Sequence, residues 1–261
     1  MKALILSGEG LNCEVESQIA LEMAGYQASI LHVRDLFEEP ELLSKADLLF
    51  FIGGFSFGDH LGAGNALAKK FEKYCYEELK DFIEQDKLVV GVCNGFQVLV
   101  KLGFFQDGNR SIALAPNQKL KFESRWVHLK APESYKGIWF DPSRIYAYPI
   151  RHGEGRFCGS GQGVSEIRDN QQIALQYCSE KGKISGEYPE NPNGSELSIA
   201  AIENKAGNVL GMMPHPEAFL HAHHHPLYHE LNKEERSHIT SQYLPGWKIF
   251  ENARLAREGN S

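Results

Sequence analysis

Two hydrophobic patterns alternate along the first hundred positions. Short, mostly apolar runs occupy residues 2–6, 28–33, 47–52 and 87–92. Between them lie segments of helical spacing. In residues 13–24 the apolar positions are Val15, Ile19, Ala20, Met23 and Ala24, and the segment ends at Gly25. Residues 65–84 predict one long amphipathic helix, and residues 95–102 predict another. Strands that are apolar on both faces and alternate with helices predict a parallel sheet covered on each side. In such sheets, sites form at the carboxyl ends of strands. The turn at Gly53-Gly54 and the turn around Cys93 both follow predicted strands, so they are expected side by side.

The pattern changes after residue 111. Strand-like runs appear at residues 122–129, 173–177 and 197–202, with turn-rich segments at 159–163 and 189–194. Antiparallel strands are expected there. Residues 209–213 predict a last apolar strand and residues 246–256 a closing helix. The fold class that follows is α/β, an open mixed, mostly parallel sheet flanked by helices. Residues 1–261 are read as a single domain, with an insertion-like segment at about 219–245.

Composition narrows the function classes. A net charge of −7 argues against broad nucleic-acid binding, which needs a basic face. No apolar run approaches the roughly 20 residues that span a bilayer, so no membrane partner is expected. The five cysteines are odd in number, widely spaced and without a C-x-x-C pair, which fits a reducing cytoplasm.

Candidate chemistry starts at Val89-Val90-Gly91-Val92-Cys93-Asn94-Gly95-Phe96-Gln97. This reads as strand, tight turn, helix around G-x-C-x-G, the cysteine form of a nucleophile elbow. Glycines allow the strained turn and the close approach of neighbouring chains. The helix N-terminus behind Cys93 favours a thiolate, and the backbone N–H of Asn94 is free to face a developing oxyanion. A lone cysteine is usually buried and inert. The elbow context is what singles out Cys93, and the other four cysteines are read as structural.

A thiol nucleophile needs a base, and the base needs an orienting group. Met213-Pro214-His215-Pro216-Glu217 supplies both at the end of the last apolar strand. His215 would face Cys93 on one side and Glu217 on the other. The Gly53-Gly54 turn offers a second oxyanion donor, although a glycine pair alone is weak evidence. No G-x-x-x-x-G-K-[ST] phosphate loop is present.

The segments GGFSFGDHLGAG (53–64), GVCNGFQ (91–97), NQKLKFESRWV (117–127), RHGEGRF (151–157), YPENPNGS (188–195) and GMMPHPE (211–217) resemble the glutamine amidotransferase subunits of phosphoribosylformylglycinamidine synthases. The likeness covers most of residues 1–217. It implies a flavodoxin-like, class I (triad-type) amidotransferase of purine biosynthesis. Cys93 would attack glutamine, and His215, oriented by Glu217, would move the proton. Gly54, Phe55 and Asn94 would border the oxyanion, and Gln97 would line the glutamine pocket. The resemblance implies no cofactor and no metal in this chain, with ATP and Mg used by a partner. That partner is the synthetase large subunit, which converts formylglycinamide ribonucleotide to formylglycinamidine ribonucleotide, with room for a small third subunit. Arg151, His152, Glu154 and Arg156 are expected at that interface. The chain departs from the family pattern at Phe57, His60 and Gly62. It also carries five histidines between His221 and His229, read as an interface or flexible loop. Competing readings are another class I amidotransferase subunit, a stand-alone cysteine hydrolase, and a non-catalytic module. Hydrolases of the second kind usually place the acid before the histidine, the reverse of the order here.

Overall fold

Strand and helix alternate through residue 102 in the computed structural model, which describes residues 1–106 and 110–259. The elements are β1 (Lys2–Ser7), α1 (Glu14–Met23), β2 (Gln27–His32), α2 (Val33–Glu38), β3 (Leu48–Phe51), α3 (Asn65–Tyr74), α4 (Tyr76–Glu84), β4 (Leu88–Val92) and α5 (Asn94–Leu102). The second part holds β5 (Ile112–Ala115), β6 (Glu123–Lys130), β7 (Ile145–His152), β8 (Arg156–Gly159), α6 (Gly163–Asp169), β9 (Ile173–Cys178), β10 (Ile199–Glu203), β11 (Val209–Met212), α7 (Lys233–Gln242) and α8 (Trp247–Glu258).

Nine strands form one sheet in the order β2-β1-β3-β4-β11-β10-β9-β6-β7, and β5 pairs with β8 separately. Pairing is parallel from β2 to β11 and antiparallel from β11 to β7. The expected class is therefore observed, an α/β fold with a mixed sheet flanked by helices. β3, β4 and β11 are buried at every position, as strands covered on both faces must be. Their carboxyl ends lead directly into the turns at Gly53, Cys93 and Met213.

The single helix expected over residues 65–84 is two. Cys75 breaks it with φ −156° and ψ 31°. A straight 20-residue helix would span about 30 Å, whereas a four- or five-residue strand covers roughly 13–17 Å. On either side of the break Leu67, Ala68 and Phe71 of α3 and Leu79 and Phe82 of α4 are buried.

Several elements were not legible in the sequence. β7 reads IYAYPIRH, and its proline argues against a strand. β7 lies at the end of the sheet and pairs only with β6, and a terminal strand tolerates the lost donor. In the insertion-like segment, α7 starts with a reciprocal capping box between Asn232 and Glu235. The histidine-rich stretch folds onto the body. His225 is buried, stacked on Tyr243 at 5.2 Å and edge-on to Trp126.

One buried carboxyl couples the fold to pH. Glu203 is enclosed at the end of β10 and accepts a hydrogen bond from Tyr135 Oη at 3.0 Å. Burial pushes its pKa from 4.5 up to about 7, only partly offset by that bond. A raised carboxyl pKa contributes stability that is complete below the unfolded value and lost as pH rises through the folded one. The loss by about pH 8 amounts to roughly 3 kcal/mol, at 1.36 kcal/mol per unit. Glu203→Gln keeps an acceptor for Tyr135 and removes the charge. Thermal unfolding should show little difference from the parent near about pH 5 and a higher melting temperature for the variant near about pH 8. A constant difference across that range would contradict this account.

Candidate active site

Cys93 occupies the turn between β4 and α5 with φ 52° and ψ −107°. A side chain at positive φ is strained, and two backbone hydrogen bonds and two glycine close approaches hold it there. The Cys93 N–H donates to Met212 O at 2.8 Å, and Cys93 O accepts from Gln97 N at 3.1 Å. Gly91 and Gly95 let neighbouring chains close in. A Cβ on Gly91 would meet Leu99 Cδ1 at 2.6 Å, and one on Gly95 would meet Phe51 O at 2.0 Å. The Asn94 N–H lies in the first turn of α5, where helix geometry leaves donors without an intrahelical acceptor.

His215 follows β11 and is buried. Its backbone N–H donates to Pro149 O at 2.8 Å, which ties the turn to β7. Its Nδ1 meets Glu217 Oε1 at 2.5 Å, and Glu217 is buried as well. A Cβ on Gly53 would touch both His215 Cε1, at 2.7 Å, and Cys93 Cβ, at 3.5 Å. Gly53 is thus the gap across which nucleophile and imidazole face each other. Burial opposes a charge on His215, yet the Glu217 carboxylate, with the Cys13 and Cys93 thiols, outweighs it. The imidazole therefore holds a proton well above the ordinary histidine range. Such a group donates to a leaving amine and recovers the proton from water.

Residues far apart in sequence line the cavity at Cys93. Its volume is about 220 Å³, and Asn12, Cys13, Glu16, Phe122, Ser124 and Arg151 join Gly54, Phe55, Cys93 and His215 around it. Cys13, read as structural, stands against His215 instead. The sequence-level signal available was its place at the N-cap of α1, matching that of Cys93 on α5.

Three expected roles change. The Phe55 N–H donates to Gly10 O at 2.9 Å, so it is not a free oxyanion donor, and Phe55 lines the cavity instead. Gly54 stays on the cavity wall at φ +137°, tied to Leu11. Gln97 does not line the Cys93 cavity. Its amide is buried, donating to Glu154 O at 2.5 Å and accepting from Asn94 Nδ2 at 2.9 Å. The Asn94 side chain also donates to Asp59 Oδ1 and accepts from Ser56 N. These bonds brace the elbow against the 53–64 turn. A buried amide costs free energy unless it is paired, and that pairing turns Gln97 inward.

His152 is buried too and cannot be an exposed interface residue. Its Nδ1 lies 3.0 Å from Asn117 Oδ1. Asn117 Nδ2 donates to His152 O and Lys121 O, which assigns Oδ1 as acceptor and puts the proton on Nδ1. Burial, with the nearby His215, lowers the His152 pKa to about 3. Arg151 is exposed and lines the cavity, and its carbonyl lies 3.7 Å from Cys93 Sγ. Glu154 and Arg156 are half-buried. Glu154 Oε2 accepts from Ala63 N, and Arg156 Nε donates to Pro116 O.

A family model for CobB/CobQ-like glutamine amidotransferase domains matches residues 1–255. Phosphoribosylformylglycinamidine synthase subunit PurQ of Methanococcus maripaludis is 40% identical over 265 residues, spanning 97% of each chain. The subunit PurQ of Dehalococcoides mccartyi is 35% identical, spanning 97% of this chain and 96% of its own. The chain belongs to the PurQ family of glutamine amidotransferase subunits. Among solved structures, PurLQS from Thermotoga maritima contains a chain that matches with a TM-score of 0.70 and 27% identity, covering 98% of both. The glutaminase domain of Trypanosoma brucei CTPS shares the fold, with a TM-score of 0.54 and 13% identity. The resemblance in the sequence motifs and the fold class are both borne out by this family. Among the described residues, no helix is long and apolar enough to cross a membrane.

Proposed function

We propose that this chain hydrolyses glutamine as the ammonia-producing subunit of a phosphoribosylformylglycinamidine synthase. The carrying observation is the single cavity in which Cys93, at a strained elbow, shares His215 with the buried Glu217. Cys93 Sγ attacks the side-chain carbonyl of glutamine, and the Asn94 N–H stabilises the developing oxyanion. The C–N bond breaks as His215 protonates the leaving ammonia. Water then attacks the γ-glutamyl thioester, with His215 taking its proton and the thiol leaving as glutamate departs. Glu217 holds the ring by Nδ1 throughout. Glu16 and Arg151, both exposed at the rim, offer opposite charges to the ammonium and carboxylate of an amino acid.

The ammonia acceptor is formylglycinamide ribonucleotide, bound by an ATP- and Mg-using synthetase chain, with a small third subunit in the same assembly. The PurQ relatives and the Thermotoga maritima PurLQS structure support that partner. Five free cysteines fit a reducing compartment, and we assign the protein to the cytoplasm. Glutamate release measured with and without the synthetase tests the reading. Turnover should depend on the partner, and hydrolysis that is equally fast without it would count against the coupling. The exposed Arg151 and the half-buried Arg156 are the charges we assign to the interface. Arg156→Glu should weaken capture of the synthetase in a pull-down while leaving the thermal unfolding curve unchanged. Capture equal to that of the parent chain would remove Arg156 from the interface.

A further inference from the structure

A second thiol shares the imidazole of His215. Cys13 is 8% exposed at the N-cap of α1, and its side chain makes no capping bond there. Its Sγ, a ring nitrogen of His215 and a carboxylate oxygen of Glu217 all lie within 4.8 Å of one another. Cys93 reaches the same imidazole from the N-cap of α5. His215 Nε2 is enclosed, on a residue 3% exposed, with no hydrogen-bond partner among the described residues. Nδ1 is already held by Glu217. The ring thus presents an unpaired nitrogen on an imidazole that both thiols reach, backed by a carboxylate. This is the donor set that thiophilic divalent cations select, including the carboxylate–histidine pair that orients a ligating nitrogen. Both sulfurs sit at helix N-caps, Cys13 on α1 and Cys93 on α5. The cavity they line reaches solvent past the exposed Glu16 and Arg151, so an ion has a route in and a water can take the fourth position.

We propose that Cys13 Sγ, Cys93 Sγ and His215 Nε2 form a binding site for one thiophilic divalent cation, with Zn²⁺ as the natural fit, which blocks the nucleophile reversibly. On binding, each thiol releases one proton to solvent, and the His215 imidazolium releases its Nε2 proton as well, so that the ring binds as neutral imidazole. Two thiolates then balance the two charges of the metal. The inhibitory consequence rests on the proposed glutaminase reading, but the binding does not.

Titration of the full chain with Zn²⁺ in a calorimeter tests the site. One tight site per chain is expected. Cys13→Ala, Cys13→Ser and Cys93→Ser should each weaken it by about a hundredfold, the loss of one of three protein ligands. His223→Ala combined with His224→Ala should leave it unchanged. Co²⁺ should give a thiolate-to-metal charge-transfer band that falls in each cysteine variant. Wild-type affinity in both Cys13 variants, no tight site in the parent, or loss only in the histidine double variant would each overturn the proposal. In the complex with the synthetase, Zn²⁺ should inhibit glutamate release, with chelator restoring it. Tight binding to a chain that never hydrolyses glutamine would instead count against the glutaminase reading.

Discussion

Cys93→Ser should lower glutamine-dependent turnover of the complex by about 10⁴-fold or more, equivalent to roughly 5.5 kcal/mol of transition-state stabilisation. The substitution exchanges one buried atom, so the elbow, its bonds to Met212 and Gln97, and the His215–Glu217 pair remain. What is lost is intrinsic. A hydroxyl has almost no anion near neutral pH, whereas a thiol has a usable fraction. The same complex supplied with ammonium salt should still form its amidine product, because the synthetase then bypasses Cys93. Measuring glutamate release and ammonia-supported synthesis side by side separates the two activities. A serine variant that still releases glutamate at a substantial rate would remove Cys93 from the chemistry. Loss of both activities would point to damaged assembly instead.

Gly95→Ala should be the most disruptive single methyl on the elbow. Its Cβ would lie 2.0 Å from Phe51 O and 2.5 Å from Phe51 C, which are backbone atoms of β3. Backbone within a buried strand cannot rotate away, so α5 must shift off the sheet. Overpacking of this kind costs about 3 kcal/mol, or more where nothing can relax. The displacement also moves the Asn94 N–H and Cys93 away from His215, so activity should fall together with the melting temperature. Gly186→Ala is the control, since an added Cβ there meets nothing within 4 Å. Equal melting temperatures for the Gly95 and Gly186 variants would show that the elbow has slack the contacts do not suggest.

The parts of the site that could be read from sequence are those built by consecutive residues. G-x-C-x-G encodes a strand end, a turn and a helix start within five positions. Met213-Pro214-His215-Pro216-Glu217 carries a base and its orienting acid two residues apart. Gln97 shows where such reading stops. It lies one turn into α5, close to the nucleophile, and the resemblance sends it toward substrate. Packing turns its amide inward to Asn94 and Glu154, a choice that depends on a loop 57 residues away. His152 has the same history. Its segment is rich in charge, which suggests surface, yet at the end of β7, beside the exposed Arg151, it is buried against Asn117.

Sequence by itself determined the α/β class, the strands buried on both faces, the elbow at Cys93 and the pairing of His215 with Glu217. Each depends on periodicity or on neighbours within a few positions, and local sterics enforce both. Tertiary structure decided which of these ends meet. Parallel pairing sets the carboxyl ends of β1, β3, β4 and β11 side by side, and the loops that follow them converge. That convergence brings Cys13 to His215 across 202 positions, and the bond from the His215 N–H to Pro149 O brings β7 and its Arg151 to the same cavity. No local pattern carries such information, because strand order is fixed by burying all the faces at once.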